Sequence, residues 1–170
     1  MGENDVPTIH LGVIDLPYNE APSARRAPKA SKHPRPHKSQ AAKYGNITTG
    51  DVAEILEAKY HVMEIYWSLH EAQIAADLEE SLSGALETIL MGGPAQANGF
   101  EGALSKIEDG FKQMLSQREL DGLGYPGIPT KAAQTGVSHR FKSGYTKNRT
   151  LRPSFIDTGL YQASFKSWIT

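Results

Sequence analysis

The sequence predicts an α+β protein that is predominantly α, with a long helical hairpin, short helices, a small strand component and an extended N-terminal arm. Residues 51–83 contain neither Gly nor Pro and are rich in Ala, Leu and Glu, a composition that favours helices. Between positions 8 and 16, apolar residues recur with a period near two, as they do in strands. Residues 21–43 hold few apolar side chains, so they predict an arm and not a packed element.

Length and charge divide the chain into three predicted parts. Its 170 residues suit one domain with appendages. We predict an N-terminal strand segment at 1–20, a basic Pro-rich extended arm at 21–47, and a helical body with a C-terminal Asp-Thr-Gly segment at 48–170. The net charge is −4 over residues 1–20, +7 over 21–50, −10 over 51–121 and +6 over 122–170. Because blocks of opposite charge steer association, such a chain is complementary to itself or to its own copies.

The N-terminal strand is predicted to end at Pro17, and the basic arm follows it. Prolines alternate with basic side chains along the arm. Three interpretations are open for it: a solvated linker, a strap on an acidic neighbour, or a nucleic-acid contact. The arm supplies these predicted subunit-interface residues: Arg25, Arg26, Lys29, Lys32, Arg35 and Lys38.

The first long helix is predicted to start at a capping pattern, either Thr48 with Asp51 or Asp51 with Glu54. An unbroken helix from there to residue 92 would measure roughly 60 Å. It therefore packs along neighbouring subunits or breaks, and residues 81–84 are the predicted break. Two apolar stripes run along it: Ile55, Val62, Leu69 and Ala76, and Leu56, Trp67, Leu78 and Ile89. Its aromatic residues are predicted to pack in the core or between subunits: Tyr60, Tyr66 and Trp67.

Residues 100–120 predict a second helix that packs antiparallel on the first, because the loop between them is short. Asp121 and Gly122 are its predicted end. Thr130 then caps a short helix from 131 to about 141, residues 142–151 form a loop, and a final helix and a terminal strand at 168–170 follow. The apolar face of the second helix is predicted from its spacing: Leu104, Ile107, Phe111, and Met114 or Leu115.

The composition argues against an enzyme, a cofactor or a metal centre. The chain has no cysteine, so it has no disulfide framework and no Cys-based metal site. It lacks a Gly-rich phosphate loop, a Gly-x-Ser-x-Gly elbow and a His-Glu-x-x-His motif. Glu57 and His61 lie one helical turn apart, but a metal site needs further ligands. No apolar run approaches the roughly 20 residues of a membrane span. We therefore predict no catalytic residue, no metal ligand, no cofactor and no membrane contact.

The most informative run is residues 152–160, Arg-Pro-Ser-Phe-Ile-Asp-Thr-Gly-Leu. Pro153 interrupts any helix, the apolar pair after Ser154 can bury, and Asp157 or Thr158 can cap the helix that follows. Aromatic and basic residues interleave around this run, as they do at protein interfaces and at surfaces that bind single-stranded nucleic acid. The region supplies these further predicted interface residues: Arg149, Arg152, Phe155, Asp157, Tyr161, Phe165 and Trp168.

This run, together with residues 128–142, resembles the neck, head-tail joining (collar or tail-completion) proteins of long-tailed bacteriophages. Those proteins often carry a basic residue and a proline, an apolar pair, and then Asp-Thr-Gly leading into a short helix. The resemblance implies a virion structural protein, made in the host cytoplasm, that forms a ring in the neck and joins the portal or head to the tail. It also implies portal, head-completion, tail-tube or terminator proteins as partners, and it carries no catalytic residue.

The charge blocks suggest how such a ring would assemble. Each copy would lay its basic arm, or its basic C-terminal segment, against the acidic helical layer at residues 51–121 of a neighbour, while the turn at 152–159 acts as an ordered plug that positions the last helix. Two other functions remain open. The arm could serve a nucleic-acid-binding, genome-associated phage protein, or the chain could be a regulatory helical adaptor of small oligomeric size.

Overall fold

The computed structural model describes residues 7–17, 47–94, 99–135, 152–156 and 159–170. These residues form a predominantly α-helical fold with a small two-stranded antiparallel sheet, as the sequence predicts. The predicted arm lies outside them, apart from Ile47. The elements in chain order are β1 (Ile9–Val13), α1 (Thr49–Tyr60), α2 (Val62–Leu90), α3 (Glu101–Ser116), a 3₁₀ turn (Glu119–Gly122), α4 (Lys131–Thr135), α5 (Leu160–Ser164) and β2 (Phe165–Ile169).

The sheet joins the N-terminal and C-terminal segments. β1 pairs with β2 so that Ile9 lies opposite Ile169 and Val13 lies opposite Phe165. The terminal strand therefore begins at Phe165, earlier than the predicted 168, and it follows α5 without a loop. Because β1 has its partner in the helical body, residues 9–13 are part of that body and not a separate segment.

Helix α1 begins with the predicted capping box. The Thr48 hydroxyl accepts from the Asp51 N–H at 3.2 Å, and the Asp51 carboxylate accepts from the Thr48 N–H at 2.9 Å. Thr49 is fully buried, and its hydroxyl donates to the Ile14 carbonyl at 2.6 Å and accepts from the Leu16 N–H at 2.8 Å. These bonds fix the start of α1 against the chain that leaves β1.

The long helix breaks at His61, and not at the predicted residues 81–84. His61 has a left-handed backbone with φ 51°, a conformation that His tolerates better than most residues do. The Glu57 carboxylate accepts from the N–H groups of Met63 at 2.8 Å and Glu64 at 3.0 Å, so it caps the first turn of α2. The break therefore lies where a side chain can satisfy the amides of the new helix.

Small residues at the predicted break allow the two long helices to approach each other. A Cβ on Gly99 would lie 3.1 Å from the Ala85 Cβ, and a Cβ on Gly102 would lie 3.2 Å from the Ser81 Oγ. A glycine inside a helix costs only about 1 kcal/mol. Gly84 therefore does not end α2, which continues to Leu90.

Helix α3 runs antiparallel to α2, which confirms the predicted hairpin. Tyr66 near the start of α2 donates its hydroxyl proton to the Ile107 carbonyl at 2.7 Å and lies against Gly110, whereas Ser81 further along α2 lies against Gly102, nearer the start of α3. The α-helix ends at Ser116, short of the predicted 120, because Arg118 takes a left-handed backbone with φ 63°. The Gln162 side-chain amide donates to carbonyl and hydroxyl oxygens in the last turn of α3.

Four aromatic side chains form the centre of the core: Tyr66, Phe111, Tyr161 and Phe165. The Phe165 and Phe111 rings stack with centroids 3.8 Å apart, and Tyr66 meets Phe111 edge to face at 5.3 Å. Burial raises the pKa of Tyr66 to about 12, with smaller contributions from nearby carboxylates. A Cβ on Gly110 would lie 2.7 Å from the Tyr66 hydroxyl, so this close contact requires glycine.

Candidate functional site

The C-terminal segment, residues 152–156 and 159–170, lies against α3, the 3₁₀ turn and β1. Lys166 pairs with Glu108 of α3 at 2.7 Å, and the Ser167 hydroxyl donates to the Leu104 carbonyl at 3.1 Å. The buried Ser154 hydroxyl donates to the Asp121 carboxylate and accepts from the Thr130 N–H. The segment is therefore part of the protomer's own fold.

Tyr161 and Phe165 were predicted to contact neighbouring subunits, and the structure corrects that prediction. Their exposed fractions are 2% and 0%, because both rings enter the aromatic cluster around Phe111. Nothing in the sequence pattern separates an aromatic anchor at an interface from an aromatic core residue. The decisive fact is the position of α3, which covers them.

Phe155 and Arg152 build the turn that the sequence predicts. The half-buried Phe155 ring meets Tyr60 edge to face at 5.1 Å, and its backbone has φ 66°. A bulky residue in this region stores about 1–3 kcal/mol of strain. The Arg152 N–H donates to the Ala133 carbonyl at 3.3 Å, and its guanidinium reaches the Ile156 carbonyl at 3.5 Å.

Of the predicted interface residues that the structure describes, Trp168 is the exposed one. It is 44% exposed and stacks on His10 of β1 at 5.4 Å. A Cβ on Gly12 would lie 2.9 Å from the Trp168 ring, so the indole covers β1 closely. Trp168 can therefore contact a partner while it stabilises the strand pair.

The remaining predicted interface residues lie outside the described residues: Arg25, Arg26, Lys29, Lys32, Arg35, Lys38, Arg149 and Asp157. Thr158, the alternative cap, also lies outside them. The points where the two basic segments leave and rejoin the body are nevertheless defined. Residues 18–46 start and end at the bridge between Pro17 and Thr48, and residues 136–151 start and end near the bond from Arg152 to Ala133.

Acidic side chains predominate among the described residues, and basic side chains predominate in residues 18–46 and 136–151. The described residues carry fifteen Asp or Glu and seven Lys or Arg. Residues 18–46 carry seven Lys or Arg and one acid, and residues 136–151 carry four Lys or Arg and no acid. An acidic body thus bears two basic segments, each of which leaves and returns at one point of its surface.

A second surface lies at the far end of the hairpin, where α2 extends beyond its contacts with α3. We call it the distal apolar face, and it comprises residues with these exposed fractions: Leu82 53%, Leu86 56%, Ile89 47%, Leu90 78% and Met91 82%. The first predicted apolar stripe is not buried along its whole length: Val62 is buried, whereas Ile55, Leu69 and Ala76 are exposed. The sequence did not single out the distal apolar face, because its leucines repeat with the spacing of a core stripe.

Helix α2 is acidic throughout, with six Asp or Glu and no Lys or Arg. Lys106 of α3 forms ion pairs with Asp77, at 3.1 Å, and with Glu80. The hydrogen bond to Glu80 makes the largest contribution and the one to Asp77 the next, and both raise the pKa of Lys106. Glu79 and Glu87 lie on α2 among the residues of the distal apolar face. A partner for this face would therefore meet apolar and acidic groups together.

No protein family, curated protein or solved structure matches this chain.

The Glu57 and His61 pair gains a third neighbour in the structure. Ligand atoms of Glu57, His61 and Glu64 lie within 4.8 Å of one another, and His61 Nδ1 is 2.8 Å from a Glu64 carboxylate oxygen. Both Glu57 oxygens already accept helix amides. This arrangement accounts for the cluster as the cap of α2.

In the described part of the chain, no helix is long and apolar enough to cross a membrane.

Proposed function

We propose that the protein is a virion structural subunit that forms an oligomeric ring in the neck of a long-tailed bacteriophage and joins the portal or head to the tail, in a collar or tail-completion role. The observation that carries the proposal is the distal apolar face. Contiguous exposed apolar residues mark interaction sites. A protomer that is well packed at one end and uncovered at the other is suited to assembly.

The C-terminal segment supports the position in the virion. Residues 152–160 resemble neck proteins in sequence, and the described part of this run forms a turn followed by the short helix α5. The Ser154 hydroxyl of this run binds Asp121 of the 3₁₀ turn and the Thr130 N–H, and the Arg152 N–H donates to the Ala133 carbonyl of α4. A structural role for the run suits a building block of a particle.

The separation of charge supports association between copies. Opposite charges on body and basic segments would steer neighbouring copies together and suppress wrong pairings. The α-helical body alone carries an excess of acids, so two bodies would repel each other without the basic segments.

The test is the particle that the purified protein forms. Mass measurement in solution should give a multiple of the 18.6 kDa chain, and negative-stain images should show closed rings. A monomer or a dimer at all concentrations would contradict the ring and favour a regulatory adaptor. Portal, head-completion, tail-tube and terminator proteins of the same phage are the partners to mix with the rings.

A nucleic-acid-binding, genome-associated role is the second candidate, because eleven of the eighteen Lys and Arg lie in the two basic segments. Such a protein would bind duplex DNA with an affinity that falls steeply as salt increases. Replacing residues 20–44 by a short Gly-Ser linker tests the arm. β1 must be kept in this variant, since it pairs with β2. Unchanged DNA binding in this variant would exclude the arm as the contact.

A further inference from the structure

We propose that β1 is the contact strand of a two-fold dimer. In this dimer, β1 of one copy pairs antiparallel with β1 of a second copy, and the two small sheets join into one four-stranded sheet. The pairing is independent of the proposed ring, and it involves only residues 8–14 and 165–170, all of which the structure describes. It makes the open edge of the small sheet a binding surface.

The hydrogen bonds of the sheet show which groups of β1 have no partner in β2. Thr8 and Thr170 exchange two backbone bonds, at 2.9 and 3.0 Å. Because backbone groups alternate in direction along a strand, the even-numbered residues of β1 face β2. The odd-numbered residues direct their N–H and C=O groups away from it: Ile9, Leu11 and Val13. Within the residues that the structure describes, no group bonds these outward groups.

The two edges of the sheet differ in cover. At the edge of β2, the Ser167 N–H donates to the Glu108 carboxylate of α3 at 3.4 Å, and Lys166 binds the same carboxylate at 2.7 Å. β1 lacks the features by which proteins block an edge strand. Residues 8–14 contain no Lys, no Pro and no acid, and the register of the strand pair has no bulge. Such an edge is suited to pairing with a further strand.

A second copy of β1 fits this edge because the strand is complementary to itself. When Leu11 lies opposite the second copy's Leu11, Ile9 lies opposite Val13, and the three pairs share about six backbone bonds. The side chains of these residues pack against the core, so the joined sheet keeps its apolar residues on one face. A shift by one residue would place the outward groups opposite groups that already bond β2.

The same register gives the exposed Trp168 a contact across the two-fold axis. A Cβ on Gly12 would lie 2.9 and 3.0 Å from the Cη2 and Cζ3 atoms of Trp168, so the indole extends over β1 as far as Gly12. In the dimer, Gly12 lies opposite the second copy's His10, with about 4.5 Å between the Cα atoms. The indole, 44% exposed in one copy, therefore lies beside the added strand and loses exposed surface. Trp is among the residues that interfaces use most for binding energy.

The contact is small and free of like charges. Residues 8–14 of each copy contain no Asp, Glu, Lys or Arg, so no charges of one sign face each other along the strand pair. An interface of this size is smaller than those of stable complexes, and we expect a dissociation constant in the micromolar range or weaker. A two-fold contact by itself stops at a dimer. Together with a separate ring contact, it would join two rings face to face.

Hydrogen exchange of single backbone amides tests the pairing, because it separates the two sides of β1. In dilute protein, β2 should protect the N–H groups of His10 and Gly12, while those of Ile9, Leu11 and Val13 exchange rapidly. At millimolar concentration, exchange of the outward group should slow about tenfold or more. Outward amides that are equally protected at every concentration would overturn the inference, because the protein's own chain would then cover the edge. Outward amides that stay fast at every concentration would overturn it as well.

A single introduced cysteine tests the register, since the chain has none of its own. In full-length Leu11→Cys protein, the two introduced residues lie opposite each other with about 5.5 Å between Cα atoms, which suits a disulfide. Mild oxidation should therefore give a disulfide dimer. The control is Ile14→Cys, because Ile14 is 48% exposed but lies opposite Thr8, about 20 Å from its counterpart. A Leu11→Cys protein that cross-links no faster than the control would overturn the inference.

A proline tests the hydrogen bonds at the axis. The Leu11 N–H faces the open edge, so Leu11→Pro removes no bond between β1 and β2. It should raise the dissociation constant of the dimer about tenfold or more in sedimentation equilibrium, since both bonds at the axis are lost. Leu11→Ala loses the same side chain but keeps the N–H, and it should change that constant about threefold or less. Equal weakening in two variants that are both folded by circular dichroism would contradict the strand pairing.

The outcomes also distinguish the strand pairing from the ring. Rings in which the outward amides of β1 stay fast overturn the pairing and leave the proposed function standing. Dimers that never grow into rings but show the Leu11→Cys disulfide support the pairing and contradict the ring. A protein that stays monomeric at millimolar concentration overturns both.

Discussion

The two ends of the α2–α3 hairpin present similar residues in opposite surroundings. At the proximal end, Val62, Tyr66 and Ile74 of α2 are 0–2% exposed because α3 and the C-terminal segment cover them. At the distal end, Leu86 and Leu90 are 56% and 78% exposed. Apolar residues at helical spacing therefore do not by themselves ensure that a helix face is buried. The chain must also supply a second element, and α3 is too short to cover the far end of α2.

The largest expected effect lies at the proximal end. Phe165→Ala removes the ring stacked on Phe111 and leaves a cavity in the aromatic cluster. The free energy of unfolding should fall by about 3–5 kcal/mol, measured by urea denaturation. Trp168→Ala in the same strand is the matched control, because the indole is largely outside the core. Equal losses for the two variants would contradict the assignment of Phe165 to the core.

Two Gly→Ala substitutions test how closely the two ends of the hairpin are packed. Gly110→Ala places a methyl group 2.7 Å from the Tyr66 hydroxyl, and it should destabilise the protein by about 1–3 kcal/mol. Gly84→Ala adds the same methyl group in open space on α2 and should stabilise it by about 0.5–1 kcal/mol. Thermal unfolding of both variants gives the signs. A stabilised Gly110→Ala protein would show that the hairpin is looser at its proximal end than the structure indicates.

The buried hydroxyl of Tyr66 makes the proximal end sensitive to alkali. Burial raises its pKa from 10.0 in the unfolded chain to about 12, so the folded state holds the proton more tightly. This stability is complete below pH 10 and is lost as the pH rises toward 12. Tyr66→Phe should cost about 1 kcal/mol at neutral pH through the lost bond to Ile107.

Unfolding measured from pH 8 to pH 12 in both proteins checks the assignment. The native chain should lose more stability over this interval than Tyr66→Phe does. Parallel losses would mean that another group titrates.

The smallest effect on stability is expected at the distal end. Leu86→Gln with Leu90→Gln changes side chains that this protomer does not cover, so the free energy of unfolding should change by less than about 0.5 kcal/mol in dilute protein. Assembly should nevertheless weaken, as seen by sedimentation. A large loss of stability without a change in assembly would show that the distal face is part of the protomer's own core.

Local signals predicted much of the fold. The capping box at Thr48 and the apolar face around Ile107 and Phe111 depend on neighbours in sequence, and both are confirmed. The break at His61 was missed because it needs neither Gly nor Pro, and its cause is the carboxylate of Glu57. The short helix α4 begins as predicted after Thr130, which caps it by accepting from the Ala133 N–H.

The candidate surfaces were harder to predict, because exposure is a tertiary property. Tyr161 and Phe165 have the composition of interface anchors and are buried by α3. The leucines of the distal apolar face have the spacing of a core and are exposed. In both cases the deciding quantity is the length and position of another element, which no local pattern contains.

The pairing of β1 with β2 also determines the order in which the protein can fold. The His10 ring of β1 and the hydroxyl of Thr170, just after β2, are hydrogen-bonded although they are 160 positions apart. Closing so long a loop costs more entropy than bringing α2 and α3 together. We therefore expect the helical hairpin to form first. During synthesis, β1 has to wait without this partner until β2 leaves the ribosome.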